Sequence, residues 1–256
     1  MTFGESEVRY LFWKGRTVVD PKPNLPNNSN NFYFTLLTSL LTPPSKGMKI
    51  LTWRYDDARY DDMWAYIPTL RRTLRMVSSE RQNPVSGSAT TWDDFYGFEG
   101  KLSEYNSLFK GEHKLLYLCH QKSFAVGKLV KGLLHPLLNG PDDPWEIAEF
   151  WEVDVKHKNP KCPEQKKTLW LPKENYHVPY AQIYDKQGNL WKWSEWQDTI
   201  IKTLDGDYGP FQTEYTIGDL KTGFWSGCLL RHVNMNADLK PSDFEPGTFF
   251  MAGPGI

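Results

Sequence analysis

The segment from Asp61 to Met76 can fold on very few plans. Asp62-Met63-Trp64-Ala65-Tyr66-Ile67 reads at the two-residue period of a strand, Pro68-Thr69-Leu70 interrupts it, and Arg71-Arg72-Thr73-Leu74-Arg75-Met76 resumes it. Proline has no N–H to offer a sheet ladder, so Pro68 closes the first arm and the second turns back beside it. In the resulting antiparallel hairpin Trp64 and Tyr66 share a face. On the return arm Arg72, Leu74 and Met76 share one face, and Arg71, Thr73 and Arg75 the other. Large apolar area thus lies beside three guanidinium groups.

The same style continues downstream. Val8 to Trp13 and Arg16 to Val19, around Gly15, read as strand, turn, strand, and Lys49 to Tyr55 as a strand. Phe32 to Leu41 is either a short helix or a buried strand, ended by Pro43-Pro44. Thr90 to Phe98 opens on capping residues and reads as one or two helical turns. Lys101 to Phe109 reads as a short amphipathic segment stopped by Gly111, and Lys114 to Cys119 as a strand; Gln121 to Asn139 gives no assignable pattern. Further strands are expected at Ala148 to Lys156, Lys167 to Leu171, Val178 to Tyr184 and Leu190 to Trp196, the last two joined by a glycine-containing loop of hairpin length. On the final one Trp191, Trp193 and Glu195 fall on one face by alternation. Thr222 to Val233 reads as a last strand or strand pair, and Pro241 to Phe244 as a helical turn. The pattern is an antiparallel meander with short helical insertions, hence α+β around one sheet.

Composition narrows the function classes. Aromatic residues make up 15% of the 256-residue chain, with 11 Trp, roughly twice the share of an ordinary soluble domain. Such residues either build a β core or line a surface that receives apolar ligands. Lys+Arg 30 against Asp+Glu 31 leaves a formal charge of −1, so no global field draws the chain to nucleic acid. Its longest apolar stretch, Phe32 to Leu41, is too short to span a bilayer. Cys119, Cys162 and Cys228 have no metal-type spacing, and no H-x-H or H-x-x-x-H pair occurs among six histidines. No metal site or cofactor is therefore expected.

Candidate chemistry comes from two sources. Doubled aspartates stand at Asp56-Asp57, Asp61-Asp62, Asp93-Asp94 and Asp142-Asp143. Paired carboxylates serve as acid and base in glycoside hydrolysis, but aspartates on turns also act as turn formers and caps. Arg71, Arg72 and Arg75 are either a solvated face paired with nearby aspartates or a rim that binds an acidic head group bidentately. An amphiphile with an acidic head and an apolar tail would meet arginine and tryptophan together there.

The motif Asp62-Met63-Trp64-Ala65-Tyr66-Ile67-Pro68-Thr69-Leu70-Arg71-Arg72 resembles the W-x-Y-x-P-x-x-R-R signature of the LolA/LolB-like superfamily. Within it the chain is most similar to the bacterial domain-of-unknown-function family thirteen twenty-nine. Supporting matches are Pro43-Pro44 with Gly47, Asp93-Asp94-Phe95-Tyr96-Gly97-Phe98-Glu99-Gly100-Lys101, Tyr105, Trp151-Glu152-Val153-Asp154, and Tyr184 through Lys192. The chain departs from the family pattern at Asn106-Ser107 and at Thr73 to Met76, where a second arginine pair is partly replaced. The resemblance implies a single strongly curved antiparallel sheet, an incomplete β-barrel, closed by short lid helices over an apolar cavity. Phe32 to Leu41 and Thr90 to Phe109 are the lid segments expected. It implies one LolA/LolB-like domain over residues 1–256, in a bacterial envelope protein, periplasmic or associated with the outer membrane. Such proteins begin with a signal peptide; this chain shows none, so an N-terminal part of the full-length protein is expected to be missing.

The first functional expectation is a non-enzymatic carrier for a hydrophobic small molecule, lipid or lipoprotein, working with an envelope transport partner. Its ligand-binding residues would be Trp64, Tyr66, Arg71, Arg72, Arg75, Trp191 and Trp193. The second is a hydrolase on a polysaccharide or ester acting through paired aspartates, and the third an envelope protein whose aromatic faces dock onto a partner.

Overall fold

The computed structural model describes residues 4–17, 19–76, 81–118, 144–202, 206, 208–229, 233–235 and 237–247. They divide into two compact units, Met1–Glu80 with Asn236–Ile256, and Arg81–Met235.

In the first unit the strands β1 (Ser6–Phe12), β2 (Phe32–Leu40), β3 (Lys49–Tyr55), β4 (Asp62–Ile67) and β5 (Arg72–Met76) form a sheet in chain order. Every neighbouring pair is antiparallel. The hairpin read around Pro68 is β4–β5: Trp64 faces Arg75 and Ala65 faces Leu74 across it, with Arg71 at a left-handed φ of 48° in the turn. Phe32–Leu40 is a central strand and not a lid; its aromatic and branched side chains serve both faces of a sheet better than one face of a helix. Leu11, Trp13, Phe32, Leu37, Leu51, Tyr55 and Phe244 make the core of this unit. Phe244 arrives on the expected helical turn Pro241–Phe244, and its carbonyl accepts the Trp53 indole N–H at 2.7 Å. Arg16 and Thr17 are not strand; the Arg16 guanidinium instead donates to the carbonyls of Phe12 and Pro21 at 3.0 Å.

The second unit carries β6 (Tyr105–Tyr117), β7 (Glu146–His157), β8 (Glu164–Pro172), β9 (Tyr180–Asp185), β10 (Leu190–Lys202), β11 (Tyr208–Asp219) and β12 (Phe224–Leu229). They form a seven-stranded meander in which each strand lies beside its neighbours in sequence. Lys101 to Phe109 is helical only over Leu102–Glu104; β6 starts at Tyr105 and passes Gly111 through a bulge. The strand β11, with Gly209, Pro210 and Gly218, has a composition that argues against a strand, yet it pairs along most of its length with β10 and, over Glu214–Asp219, with β12. Among its described residues, Thr222 to Val233 holds the turn and β12.

The antiparallel α+β class with short helical turns is thus as expected. Among the described residues the strands are hydrogen-bonded in two ladders, of five and of seven. Neither ladder closes into a barrel among the described residues.

Candidate functional site

The register of the seven-stranded sheet places a band of aromatic side chains on one face. Trp170, Tyr180, Glu195, Thr216 and Gly227 stand opposite one another in a row across β8 to β12. The adjacent row runs Thr168, Gln182, Trp193, Gly218, Trp225. Tyr180 stacks on Trp193 at 6.0 Å and on Phe150 at 6.1 Å, and Trp170 meets His113 edge-on at 5.2 Å. Trp225 lies over Gly218, where an added Cβ would stand 2.5 Å from the indole ring. Trp170 and Trp193 are half-buried and Trp225 is exposed. The result is a shelf of rings in which Trp170, Trp193 and Trp225 keep accessible surface around a buried Tyr180.

The opposite face of the sheet is filled. The segment 81–104 lies against it, so that Ala89 and Phe98 join Tyr105, Val155, Leu169, Ala181, Ile183 and Ile217 in one cluster. Phe95 packs near Trp196 and Tyr215, which stack on each other at 4.3 Å. The family motif at Asp93 to Lys101 makes this possible. Asp94 caps its own turn, accepting from the Thr91 amide at 2.8 Å and hydroxyl at 2.9 Å. It also pairs with Lys167 and lies 3.6 Å from the Lys192 ammonium, while Lys167 reaches Glu164 at 3.5 Å. All four side chains are buried. Burial alone would raise the Asp94 pKa, but the Lys167 and Lys192 ammonium groups bring it down to about 2. Next door, Asp93 accepts from Arg81 at 2.8 Å and from the Tyr105 hydroxyl at 3.2 Å.

Gly97 completes the motif. Its φ is +77°, and an added Cβ would stand 2.2 Å from the Val178 carbonyl oxygen. The left-handed backbone alone costs an L-residue about 1–2 kcal/mol, and the clash adds to that. Gly97→Ala is therefore expected to lower the urea midpoint of unfolding, while Gly223→Ala, left-handed but with no neighbour near its added Cβ, should lower it less.

At the β10 end of the shelf lies a polar cluster. His177 Nδ1 is 3.0 Å from Asp198 Oδ1, the Tyr117 hydroxyl donates to Asp198, and Asn175 donates to Tyr117 at 3.3 Å. The hydrogen bond to Asp198 outweighs desolvation and raises the His177 pKa above its ordinary 6.5. A group whose pKa rises on folding contributes stability that is complete below the unfolded value and lost as pH climbs through the folded one. An NMR titration should find His177 above 6.5 in the parent and lower in Asp198→Asn.

The residues singled out in sequence are distributed as follows. Trp64 and Tyr66 are half-buried and pack against the core of the first unit, Trp64 edge-on to Trp53 at 4.8 Å. Arg75, exposed on their face, pairs with Asp62; Arg72 is on the opposite face, and Arg71 is in the turn. Arg71 and Arg72 have no ion pair among the described residues. In the second unit, Trp191 and Trp193 do not share a face environment. A bulge between Leu190 and Lys192 breaks the alternation. Trp191 donates to Asp219 at 3.0 Å and packs with the filled face, whereas Trp193 stands on the shelf.

The chain from residue 2 to 246 matches the family described as a protein of unknown function, DUF1329. The chain belongs to DUF1329. The fold agrees: a provisionally named outer membrane lipoprotein-sorting protein domain from Vibrio parahaemolyticus is similar over 86% of this chain and 79% of its own, with a TM-score of 0.62 at 16% identity. A DUF1329 family protein from Desulfovibrio piger covers 84% and 76%, with a TM-score of 0.54 at 18% identity. A LolA superfamily protein from Nitrosomonas europaea covers 83% and 77%, at 16% identity and a TM-score of 0.46. No curated protein matches the chain. This DUF1329 chain therefore shares the fold of the Vibrio domain, an incomplete antiparallel arrangement with short helices. Its doubled aspartates are mostly occupied: Asp56, Asp57, Asp61, Asp62, Asp93 and Asp94 each form an ion pair, and Asp142-Asp143 falls outside the described residues. Among the described residues no group of His, Cys, Asp or Glu is arranged to hold a metal, and no helix is long and apolar enough to cross a membrane.

Proposed function

We propose that this DUF1329 protein is a non-enzymatic envelope protein that holds a hydrophobic ligand, a lipid, acylated protein or other apolar compound, against the aromatic shelf of its seven-stranded sheet. The observation that carries the reading is the accessible rings of Trp170, Trp193 and Trp225, set around the buried Tyr180 on one sheet face, while the other face is packed by the chain itself. Rings fixed by stacking present apolar area at little entropic cost, which is what a ligand without directional polar groups needs. The fold class supports the same reading, and the lipoprotein-sorting name borne by the Vibrio relative is extended here only as part of this proposal. Trp193 is a proposed ligand contact, whereas Trp191, expected beside it, lies on the filled face. On the first unit, Trp64 and Tyr66, with Arg71, Arg72 and Arg75 as a rim for an acidic head, are proposed as an apolar contact in their own right. The proposed location is the periplasm, free or associated with the outer membrane, with an envelope transport partner. The occupied aspartates weigh against the hydrolase reading, because general acid–base chemistry needs a carboxyl free to meet substrate. Native mass spectrometry of the protein purified from its own host tests the proposal: a co-purified lipid mass is expected, and a ligand-free protein that takes up no added lipid would refute it.

A further inference from the structure

One carboxyl on the shelf has no counterpart among the described residues. Glu195 is only 8% exposed, yet it has no hydrogen bond and no ion pair among the described residues. It stands between Tyr180 on β9 and Thr216 on β11, two residues from Trp193 along its own strand. Burial, with nothing to offset it, pushes its pKa up to about 7. Asp94 and Asp198, also buried in this unit, are paired: Asp94 with Lys167 and Lys192, and Asp198 with His177 and Tyr117. A buried polar group left without a partner costs stability and is kept where something else supplies the partner. The shelf near Glu195 is also acidic. Glu214 is a diagonal neighbour on β11 and is itself buried, while Glu152 and Asp154 lie on the same face and are already paired with His113 and Lys166. The rings of Tyr180 and Trp193 can in addition face a cation.

We propose that Glu195 is the polar recognition point of the shelf and that it selects amphiphiles with an amine head group, the carboxylate receiving the ammonium while the rings hold the chain. The inference rests on the hydrophobic-ligand reading above and reverses the charge of the head group that the hairpin arginines would favour. Displacement of a shelf-bound fluorescent probe by dodecylamine, dodecanol and dodecanoate, each below its micelle concentration, tests it in the parent and in Glu195→Gln, which keeps the side chain's shape. Dodecylamine is expected to bind at least about tenfold more tightly than dodecanoate in the parent, and the preference is expected to vanish in Glu195→Gln. Lysophosphatidylethanolamine against lysophosphatidylglycerol separates a phospholipid source of the amine from a free one. If the parent binds all three dodecyl probes alike, or the variant keeps the preference, the head-group inference is wrong while the hydrophobic-ligand reading stands. If the parent binds none, that reading fails and the inference with it. The parent's own selectivity decides the matter even if the variant does not fold.

Discussion

Lys167→Met is expected to destabilise the protein by about 3–5 kcal/mol, the range for removing one partner from a buried ion pair. The ammonium sits against Asp94 and 3.5 Å from Glu164, with side-chain exposures of 1%, 2% and 4%. Without it two buried carboxylates face Lys192 alone, and methionine offers neither charge nor hydrogen bond. The ordinary surface ion pair would cost far less, about 0–1 kcal/mol. Adding Asp94→Asn to Lys167→Met leaves Glu164 opposite Lys192, so the double variant should lose less than the sum of the two single ones. Urea unfolding of the three variants measures both quantities, and a Lys167→Met midpoint close to the parent's would show that the network carries no stability.

The same cluster sets an acid limit. The Asp94 pKa falls from its ordinary 3.8 to about 2 on folding, so its contribution is complete above the unfolded value and lost as pH falls through about 2. Glu164 runs the other way. Burial outweighs Lys167 and raises its pKa, so the folded state holds that proton more tightly and its ionisation costs stability as pH rises above the ordinary carboxylate range.

The parts of this architecture that could be read from the chain are those fixed by local chemistry. The β4–β5 hairpin follows from Pro68 between two alternating arms, and β9–β10 from the glycine loop between two aromatic strands. What could not be read depends on partners distant in sequence. The strand β11 forms because β10 offers a ladder along it and β12 a second one over Glu214–Asp219, against the preference of Gly209, Pro210 and Gly218. The bulge that sends Trp191 and Trp193 to different clusters adds a residue to β10 without any marker in the sequence around Leu190. Asp93 and Asp94 look like solvated turn formers until Arg81, from twelve residues upstream, and Lys167, from more than seventy residues downstream, are brought onto them. Glu195 was legible as a member of the Trp193 face by simple alternation. Its isolation was not, because the lack of a partner is a property of the assembled sheet.

The second large effect concerns the ligand itself. Trp193 is stacked on Tyr180 and half-exposed on the shelf, so Trp193→Ala removes a rigid apolar contact that the ligand would cover. Truncation of a central aromatic anchor typically costs about 2–4 kcal/mol of binding, which at 1.4 kcal/mol per tenfold is a loss well beyond tenfold in affinity. Arg72, exposed and on the face of its hairpin opposite Trp64, should matter far less when replaced by alanine, and less still at high salt.

A fluorescent fatty-acyl probe titrated onto the parent, Trp193→Ala, Trp64→Ala and Arg72→Ala, each checked for folding by circular dichroism, tests the central claim most directly. The account predicts saturable binding to the parent, a loss of about 2–4 kcal/mol in Trp193→Ala, and near-parental binding in Arg72→Ala; weakened binding in Trp64→Ala would show that the first unit's hairpin takes up an apolar ligand as well. A folded Trp193→Ala that binds as the parent does, or a parent that binds no apolar probe, would contradict it.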